Sequence, residues 1–240
     1  MAAATPNSTR VRMCHVLQGG DLNECQGVST GLLLRWMDIC ACLSAEKLSK
    51  TSCVTLSMDH LVLNVPGGPG FSPAAVGLGC AIIVEASVVQ VWNTSTEIVV
   101  RVLTDPHMQP ITASRALQPT LLASAFFVFC GMKALDPASQ RLVCPKMPAF
   151  VVETTADKCA RHLADLRREA RLGKQAMVEK AQHRTLGDQS HGMLAASKRD
   201  DARLGERVLV TESLLQHVHI VMPPHANHMG NMFGGIYMEW

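Results

Sequence analysis

The chain has 240 residues, of which 48% are hydrophobic and 18% are charged, and its formal net charge at pH 7 is +2. This length suits one large domain or two small ones, and the composition is typical of a chain that folds. A net charge so close to zero gives no sign of a nucleic-acid surface, so we expect no nucleic-acid partner.

The N-terminus and the cysteines favour a cytoplasmic protein. The first residues, MAAATPNSTRVRMCHVLQ, lack the charged and then apolar order of a secretory signal. The longest nearly uncharged apolar stretch, 121–132, is shorter than the ~20 residues of a membrane span, and it indicates a buried strand instead. The nine cysteines are scattered without paired CxxC spacing, which indicates reduced thiols.

The first part of the chain predicts one apolar helix and several strands. After a short strand at 11–17 and a glycine-rich loop, a helix runs from about 28 to 48, capped by Ser29 or Thr30. Alternating and β-rich segments then predict four further strands, at 52–65, 76–92, 96–105 and 120–132. One helix followed by strands with short turns predicts an α+β fold, with the helix packed on one face of an antiparallel sheet.

The polar residues of that helix follow steps of three and four. Arg35, Asp38, Cys42 and Glu46 therefore form one narrow stripe, which we expect to face solvent or ligand. On the side of the helix opposite the sheet, we expect an apolar stripe that a partner must cover. Its residues are Leu34, Met37, Ala41 and Ala45.

The remaining sequence predicts further units and an internal repeat. We divide the chain into a disordered N-terminus (1–10), a first domain (11–150), a charged helix (151–183), a linker (184–206) and the start of a second domain (207–240). The second domain is predicted to open with a strand at 207–224. The repeat places a glycine and a tryptophan of the first helix at one constant offset from a second pair near the C-terminus, and two asparagines share that offset. The pairs are Gly31 with Gly235, Trp36 with Trp240, and Asn23 with Asn227.

Several motifs of fixed order resemble a known family, the acyl-coenzyme A thioesterases that carry two hotdog domains and a C-terminal START domain. The resemblance implies a hotdog fold, a long central helix wrapped by an antiparallel sheet, with one complete hotdog and a second that stops inside its helix. It differs at Thr30, where many hotdogs have glycine, and at Ile236, Tyr237 and Glu239. The motifs are LLLRWMDICACLSAEK at 32–47, SCVTLSMD at 52–59, NTSTEI at 93–98, LRREARL at 166–172 and MPPHANHMGNMFGGIYMEW at 222–240.

The resemblance implies hydrolysis of acyl-coenzyme A to a free fatty acid, or acetate, and coenzyme A, at a composite site built by two hotdogs and without a cofactor. It assigns Asp38 and Asn227 to one site, and Asn23 to a second site whose acid lies beyond Trp240. Independently of the family, Asp38 stands within an apolar helix, where desolvation raises the pKa of a carboxyl and suits it to act as a base or nucleophile. An ion pair of Asp38 with Arg35 and a capping role for Asn227 remain open alternatives.

Other residues are candidates for binding the oxyanion and coenzyme A. Helix-start glycines permit a thioester oxygen to approach backbone N–H groups, and they are Gly31, Gly234 and Gly235. The resemblance places coenzyme A against two strand segments and one basic helix residue, for which ordinary strand and helix roles are the alternative. These candidates are Leu56, Ser57, Met58, Thr94, Ser95, Thr96 and Arg168.

The histidines near the C-terminus do not predict a metal site, because the spacing lacks the partners of known zinc motifs. They are His217, His219, His225 and His228. The leading function is thus a thioesterase with acyl-coenzyme A as its substrate, acting as a homo-oligomer or with another hotdog. A non-catalytic acyl-coenzyme A-binding or dimerisation module is the alternative, because the second hotdog is incomplete, and a hotdog dehydratase is a third reading.

Overall fold

The computed structural model describes residues 3–24, 27–64, 76–105, 119–132, 134–135, 142–187, 218–226 and 234–239. Its helices are α1 (Pro6–Thr9), α2 (Thr30–Ser49), α3 (Thr155–Gly187) and α4 (Gly234–Glu239), with 3-10 turns at Gly19–Asp21 and Pro223–His225. Its strands are β1 (Val11–Val16), β2 (Cys53–Leu63), β3 (Ala81–Val91), β4 (Ser95–Thr104), β5 (Leu121–Gly131), β6 (Ala134–Leu135) and β7 (Leu142–Val143).

The five long strands form one antiparallel sheet in the order β1-β3-β4-β5-β2. Four of them begin and end within two residues of the predicted bounds, whereas β3 begins at Ala81, five residues after the predicted start at 76. The turns between the strands carry the glycine, proline and polar residues that end strands. The helix α2 lies against one face of this sheet and its side chains fill the core. The predicted α+β hotdog fold is therefore confirmed.

The helix α2 is buried on more than one side, because α4 packs against it in addition to the five long strands. Met37, Ala41 and Ala45 are 0% exposed and belong to the core cluster. The prediction that this apolar face awaits a partner is therefore wrong for these three residues. Periodicity shows which side of a helix is apolar, but it does not show which elements of the chain pack against that side.

The charged helix α3 covers the other face of the sheet. Because of this cover, strand β3 is buried on nearly all of its length rather than on alternate residues. Ala164, at the centre of the contact, is 0% exposed. The helix extends to Gly187, so the segment from 184 that we predicted as linker begins as helix.

Two predictions at the ends of the chain are wrong where the structure describes them. Residues 3–10 are ordered, since α1 is capped by Thr5 and Ala4 pairs with Phe150. Residues 218–222 are not in a strand, and the rest of the predicted strand, 207–217, lies outside the described residues. Within the described ranges, no helix is both long and apolar enough to cross a membrane.

Candidate active site

Asp38 is a fully buried carboxylate at the middle of α2. Its side chain is 0% exposed, although its neighbours in the core are almost all apolar. The hydroxyl of Thr55, near the start of β2, donates a hydrogen bond of 2.7 Å to Asp38 Oδ1. The second oxygen, Oδ2, is buried without a hydrogen-bond partner among the described residues. One oxygen is thus held by the protein, and the other is available for chemistry.

The surroundings of Asp38 raise its pKa. Burial, which disfavours the ionised form, is the largest cause, and the hydrogen bond from Thr55 and the backbone N–H of Gly235 act in the opposite direction. The Gly235 amide thus lies near the Asp38 carboxylate, although it does not complete a hydrogen bond of normal geometry with Oδ2. Arg35 is not a partner of Asp38, so the ion pair that the sequence left open is not formed. A carboxylate with a raised pKa is a stronger base than an exposed one.

The helix α4 begins directly against Asp38. A Cβ atom placed on Gly234 would lie 3.3 Å from Asp38 Oδ2 and 3.5 Å from Thr55 Oγ1. Residue 234 must therefore be small, since any larger side chain would fill the space beside the carboxylate. Gly234 and Gly235 form the start of α4 beside Asp38. Their role in admitting a thioester oxygen stays a prediction. The third helix-start glycine, Gly31, lies in the first turn of α2.

Thr55 is the site residue that sequence reasoning did not select. It lies inside the motif at 52–59, but a threonine in a strand is ordinarily a structural residue. The sequence also could not show to which face of the sheet the Thr55 side chain points, because the pairing of β2 with β5 shifts register between Thr55 and Ser57. The close match of that motif to the family was the available signal.

The two candidate asparagines differ in what the structure describes. Asn227 lies outside the described residues, in the gap just before α4. Asn23 lies in the loop before α2, where its side-chain oxygen accepts a hydrogen bond of 3.1 Å from the Gly27 N–H. Its proposed catalytic partner, an acid beyond Trp240, is not part of this sequence.

The segments assigned to coenzyme A lie at one level of the sheet. Leu56, Ser57 and Met58 are on the edge strand β2. Thr94 lies in the turn before β4, Ser95 is the first residue of β4, and strand β5 separates the two segments. Leu56 is 59% exposed and is accessible to a ligand.

One residue of these segments does not present its side chain to a ligand. Thr96 is 0% exposed, and its hydroxyl donates to the Gln90 carbonyl at 2.9 Å. The predicted contact through the Thr96 side chain is therefore wrong, because alternation in β4 turns this residue to the core.

Arg168 lies on α3 beside the same turn. Its guanidinium is 4.9 Å from the centre of the Trp92 ring, a cation–π arrangement, and the charge of Asp165 is close by. Arg168 itself is exposed. The structure thus brings a cation to the end of the sheet where Thr94 and Ser95 lie.

The described residues contain no cluster of three or more side chains suited to a metal. Of the four histidines considered, His219 and His225 lie within 218–226, and His225 accepts a hydrogen bond from the Met222 N–H. His217 and His228 lie outside the described residues.

The arrangement of Asp38, Thr55 and the start of α4, on a hotdog fold, is suited to acyl transfer to water. Sequence comparison leads to the same class. The chain is 30% identical over 233 residues to the acetyl-coenzyme A thioesterases of Mus musculus and Rattus norvegicus, and 26% identical over 235 residues to acyl-coenzyme A thioesterase 11 of Mus musculus. These matches span at least 96% of this chain but only 34–36% of each relative, so the chain covers about a third of their length.

Solved structures show the same fold. An acyl-coenzyme A hydrolase from Bacillus cereus superposes with a TM-score of 0.60 at 24% identity, over 76% of this chain and 98% of that one. An acyl-coenzyme A hydrolase from Staphylococcus aureus, solved with butyryl-coenzyme A and coenzyme A, has a TM-score of 0.60 at 18% identity, over 77% and 99%. No family model matches the chain. The sequence similarity supports the acyl-coenzyme A thioesterase family, and the structural similarity supports its hotdog fold.

Proposed function

We propose that this chain hydrolyses acyl-coenzyme A, with Asp38 as the base that activates water. The observation that carries this proposal is the buried Oδ2 of Asp38, which has no hydrogen-bond partner in the described structure and faces the start of α4. A buried polar atom without a partner is costly, and its retention is explained if substrate or water is the partner. The thioesterase relatives support the same activity.

The reaction needs one base, one oxyanion donor and one leaving group. Asp38 Oδ2 takes a proton from water, and the oxygen of that water forms a bond to the thioester carbonyl carbon. The carbonyl oxygen becomes negative and is stabilised by the N–H groups at the start of α4, where the Gly235 amide already lies close to the carboxylate. The C–S bond then breaks, and the sulfur of coenzyme A takes the proton back from Asp38. Thr55 holds Oδ1 so that Oδ2 points at the substrate.

The site is composite, because α4 belongs to the second repeat unit. The internal repeat matches the start of α2 to the start of α4, so the carboxylate comes from one hotdog and the glycine-rich helix start comes from the next. The motifs resemble those of the thioesterases with two hotdogs and a START domain. On that resemblance we propose the tandem arrangement of two hotdogs, a cytoplasmic location and a role in fatty acid metabolism.

The solved relatives also support the choice of residues. Variants of the Staphylococcus aureus hydrolase have been solved in which one aspartate, one asparagine and one threonine are each replaced by alanine. Those three residues have the same spacing along their chain as Asn23, Asp38 and Thr55 have here. We infer that Thr55 belongs to the catalytic group with Asp38.

Coenzyme A is proposed to lie along the sheet end formed by β2 and the turn before β4. Leu56, Ser57 and Met58 line one side, Thr94 and Ser95 the other, and Arg168 faces the phosphates. A guanidinium and backbone amides at a strand edge are suitable partners for an adenosine diphosphate group.

Two measurements made side by side test this function. Release of free thiol from an acyl-coenzyme A, followed with a colorimetric thiol reagent, reports hydrolysis, and calorimetry with coenzyme A reports binding. Both signals are expected. Binding without thiol release would show a non-catalytic acyl-coenzyme A-binding module, and conversion of the acyl group with the thioester intact would show a dehydratase.

Asn227 is proposed to complete the same site by holding water or the thioester oxygen. Replacing it with alanine should lower turnover by ~10²–10³, the usual loss when one oxyanion donor is removed, and leave the affinity for coenzyme A nearly unchanged. Kinetics and calorimetry on the variant measure the two effects separately. Equal losses of turnover and affinity would instead indicate a structural cap.

A further inference from the structure

The helix α3 is fastened to the sheet by a buried group of charged residues. Glu97, the third residue of β4, is 0% exposed. Arg167 donates two hydrogen bonds to Glu97 Oε1, at 2.5 and 3.1 Å, and Arg171 donates one to Oε2 at 3.3 Å. Arg171 also forms an ion pair with Asp59 of β2. Two arginines of one helix thus join two carboxylates that belong to different strands.

This group lies beside both segments proposed to bind coenzyme A. Glu97 and Ser57 pair with the same residue of β5, Val128, so the three form one row across the sheet. Asp59 directly follows Met58, and Glu97 directly follows Thr96. Movement of this row would therefore change the spacing of the two segments.

A second contact fixes the turn before β4. Asp165 accepts hydrogen bonds from Gln90 Nε2 at 2.9 Å and from Trp92 Nε1 at 3.0 Å. Partial burial raises the pKa of Asp165, but these two hydrogen bonds, together with the charges of Arg161 and Arg168, outweigh that effect and hold the pKa below its ordinary value. The anchored Trp92 ring is the one over which Arg168 lies.

The ion pairs of α3 explain which of its arginines is available to bind a ligand. Arg167 and Arg171 are neutralised by Glu97 and Asp59 and are largely buried, with side chains 12% and 20% exposed. Arg168 is exposed between them along the helix. The buried pairs thus orient α3 so that its exposed guanidinium faces the turn that contains Thr94.

We propose that Glu97, acting through Arg171, is a positioning residue for the nucleotide part of coenzyme A. It touches no substrate atom. It sets the distance between the two strand segments and fixes the helix that carries Arg168. This inference rests on the proposed coenzyme A site, but it makes α3 a functional part of that site rather than a solvated connection between domains.

A comparison of two thioester substrates distinguishes a positioning role of Glu97 from a general effect on the structure. Acyl-coenzyme A carries the nucleotide, and the matching acyl-pantetheine lacks it, so only the first should depend on Glu97. The Glu97→Gln variant keeps the side-chain size but removes the charge that holds the two arginines. We expect its KM for acyl-coenzyme A, and its Kd for coenzyme A by calorimetry, to rise about tenfold, while kcat stays unchanged. Its kcat/KM for acyl-pantetheine should equal that of the wild type.

Two further variants provide a control and a milder change. Glu85→Gln removes the exposed ion pair with Arg12 on the same face of the sheet and should change nothing. Arg171→Lys keeps the charge but replaces the guanidinium, whose Nη1 contacts both carboxylates, with a smaller ammonium group, and it should raise KM in the same direction by a smaller factor. Because residue 171 is at the border of the contact, this variant tests the proposal even if Glu97→Gln fails to fold.

The outcomes are distinct from those of the proposed function. Equal losses on both thioesters, or no loss on either, would overturn the positioning role while leaving hydrolysis intact. If the wild type hydrolyses neither thioester, the proposed function fails, and the Kd for coenzyme A still decides the positioning role. A wild-type chain that does not bind coenzyme A overturns it.

Discussion

At the residue scale, the central feature is one carboxylate that the fold keeps out of water. Among the described residues, Asp38 accepts one hydrogen bond from a side chain, that of Thr55, and its second oxygen is buried beside a helix start. Such an arrangement is unfavourable for folding, because an ionised carboxylate is poorly solvated there. It is favourable for catalysis, because the same desolvation makes the carboxylate more basic.

Asp38→Asn should change the pH dependence of stability. Burial raises the folded-state pKa of Asp38 above its ordinary value of 3.8, so the folded chain holds the proton to a higher pH than the unfolded chain does. The stability from this group is therefore fully present below pH 3.8 and is lost as pH rises through the folded-state pKa, at ~1.4 kcal/mol per unit of elevation. Asparagine cannot ionise, so the variant loses no stability from this position as pH rises. Urea unfolding should show the variant gaining stability relative to the wild type between pH 3.8 and 7. If the free energies of unfolding of the two proteins changed in parallel with pH, the raised pKa would be contradicted.

At the scale of elements, the site depends on the approach of α4 to α2. Gly234→Val should push α4 away from Asp38, because even the first added carbon lies 3.3 Å from Oδ2. A displacement of about 1 Å at a reacting group lowers turnover by ~10²-fold, which is the loss we expect here. Steady-state kinetics measure it, and Gly173→Ala is the matched control, since nothing lies within 4 Å of that position. Full activity of the valine variant would mean that α4 does not form the site.

The sequence predicts the elements better than it predicts their contacts. The strands β2 to β5 and the helix α2 follow from alternation, apolar period and glycine or proline breaks, which are local properties. Asp38 was selected because a carboxylate in an apolar helix is unusual within one element and because it matches the catalytic aspartate of the family that the motifs resemble. Thr55 and Glu97 were missed because their roles depend on partners that are far away in sequence, on α2 and α3 respectively. Strand pairing and helix docking create such contacts, and neither is encoded in a local pattern.

At the scale of the whole molecule, the sheet ends on one side at β2, whose pairing with β5 is its only one among the described strands. Val62 on this edge is 51% exposed, and Leu43 on α2 is 44% exposed. An edge strand with exposed apolar residues favours pairing with another chain. This is the side where α4 contacts the first hotdog, and it agrees with the proposal of a homo-oligomer or a hotdog partner.

We therefore expect the chain to self-associate through the β2 edge. Light scattering over a dilution series should show dimers or larger species at micromolar concentration. Val62→Lys should raise the dissociation constant at least about tenfold, because a charged side chain on an edge strand opposes pairing with another chain. Val16→Lys is the control, since Val16 is 46% exposed on β1, at the opposite edge. A wild-type chain that stays monomeric, or equal effects of both lysines, would rule out this interface.

The most direct test of the account is thiol release from acyl-coenzyme A by the wild type and by Asp38→Asn at equal concentration. Removing a general base usually lowers turnover by ~10²–10⁴, and this loss is expected for Asp38→Asn with the affinity for coenzyme A retained. Glu46→Gln, on the same helix, keeps the oxygen that accepts the Cys53 N–H and should retain full turnover. A folded Asp38→Asn variant that releases thiol as fast as the wild type would contradict the central claim.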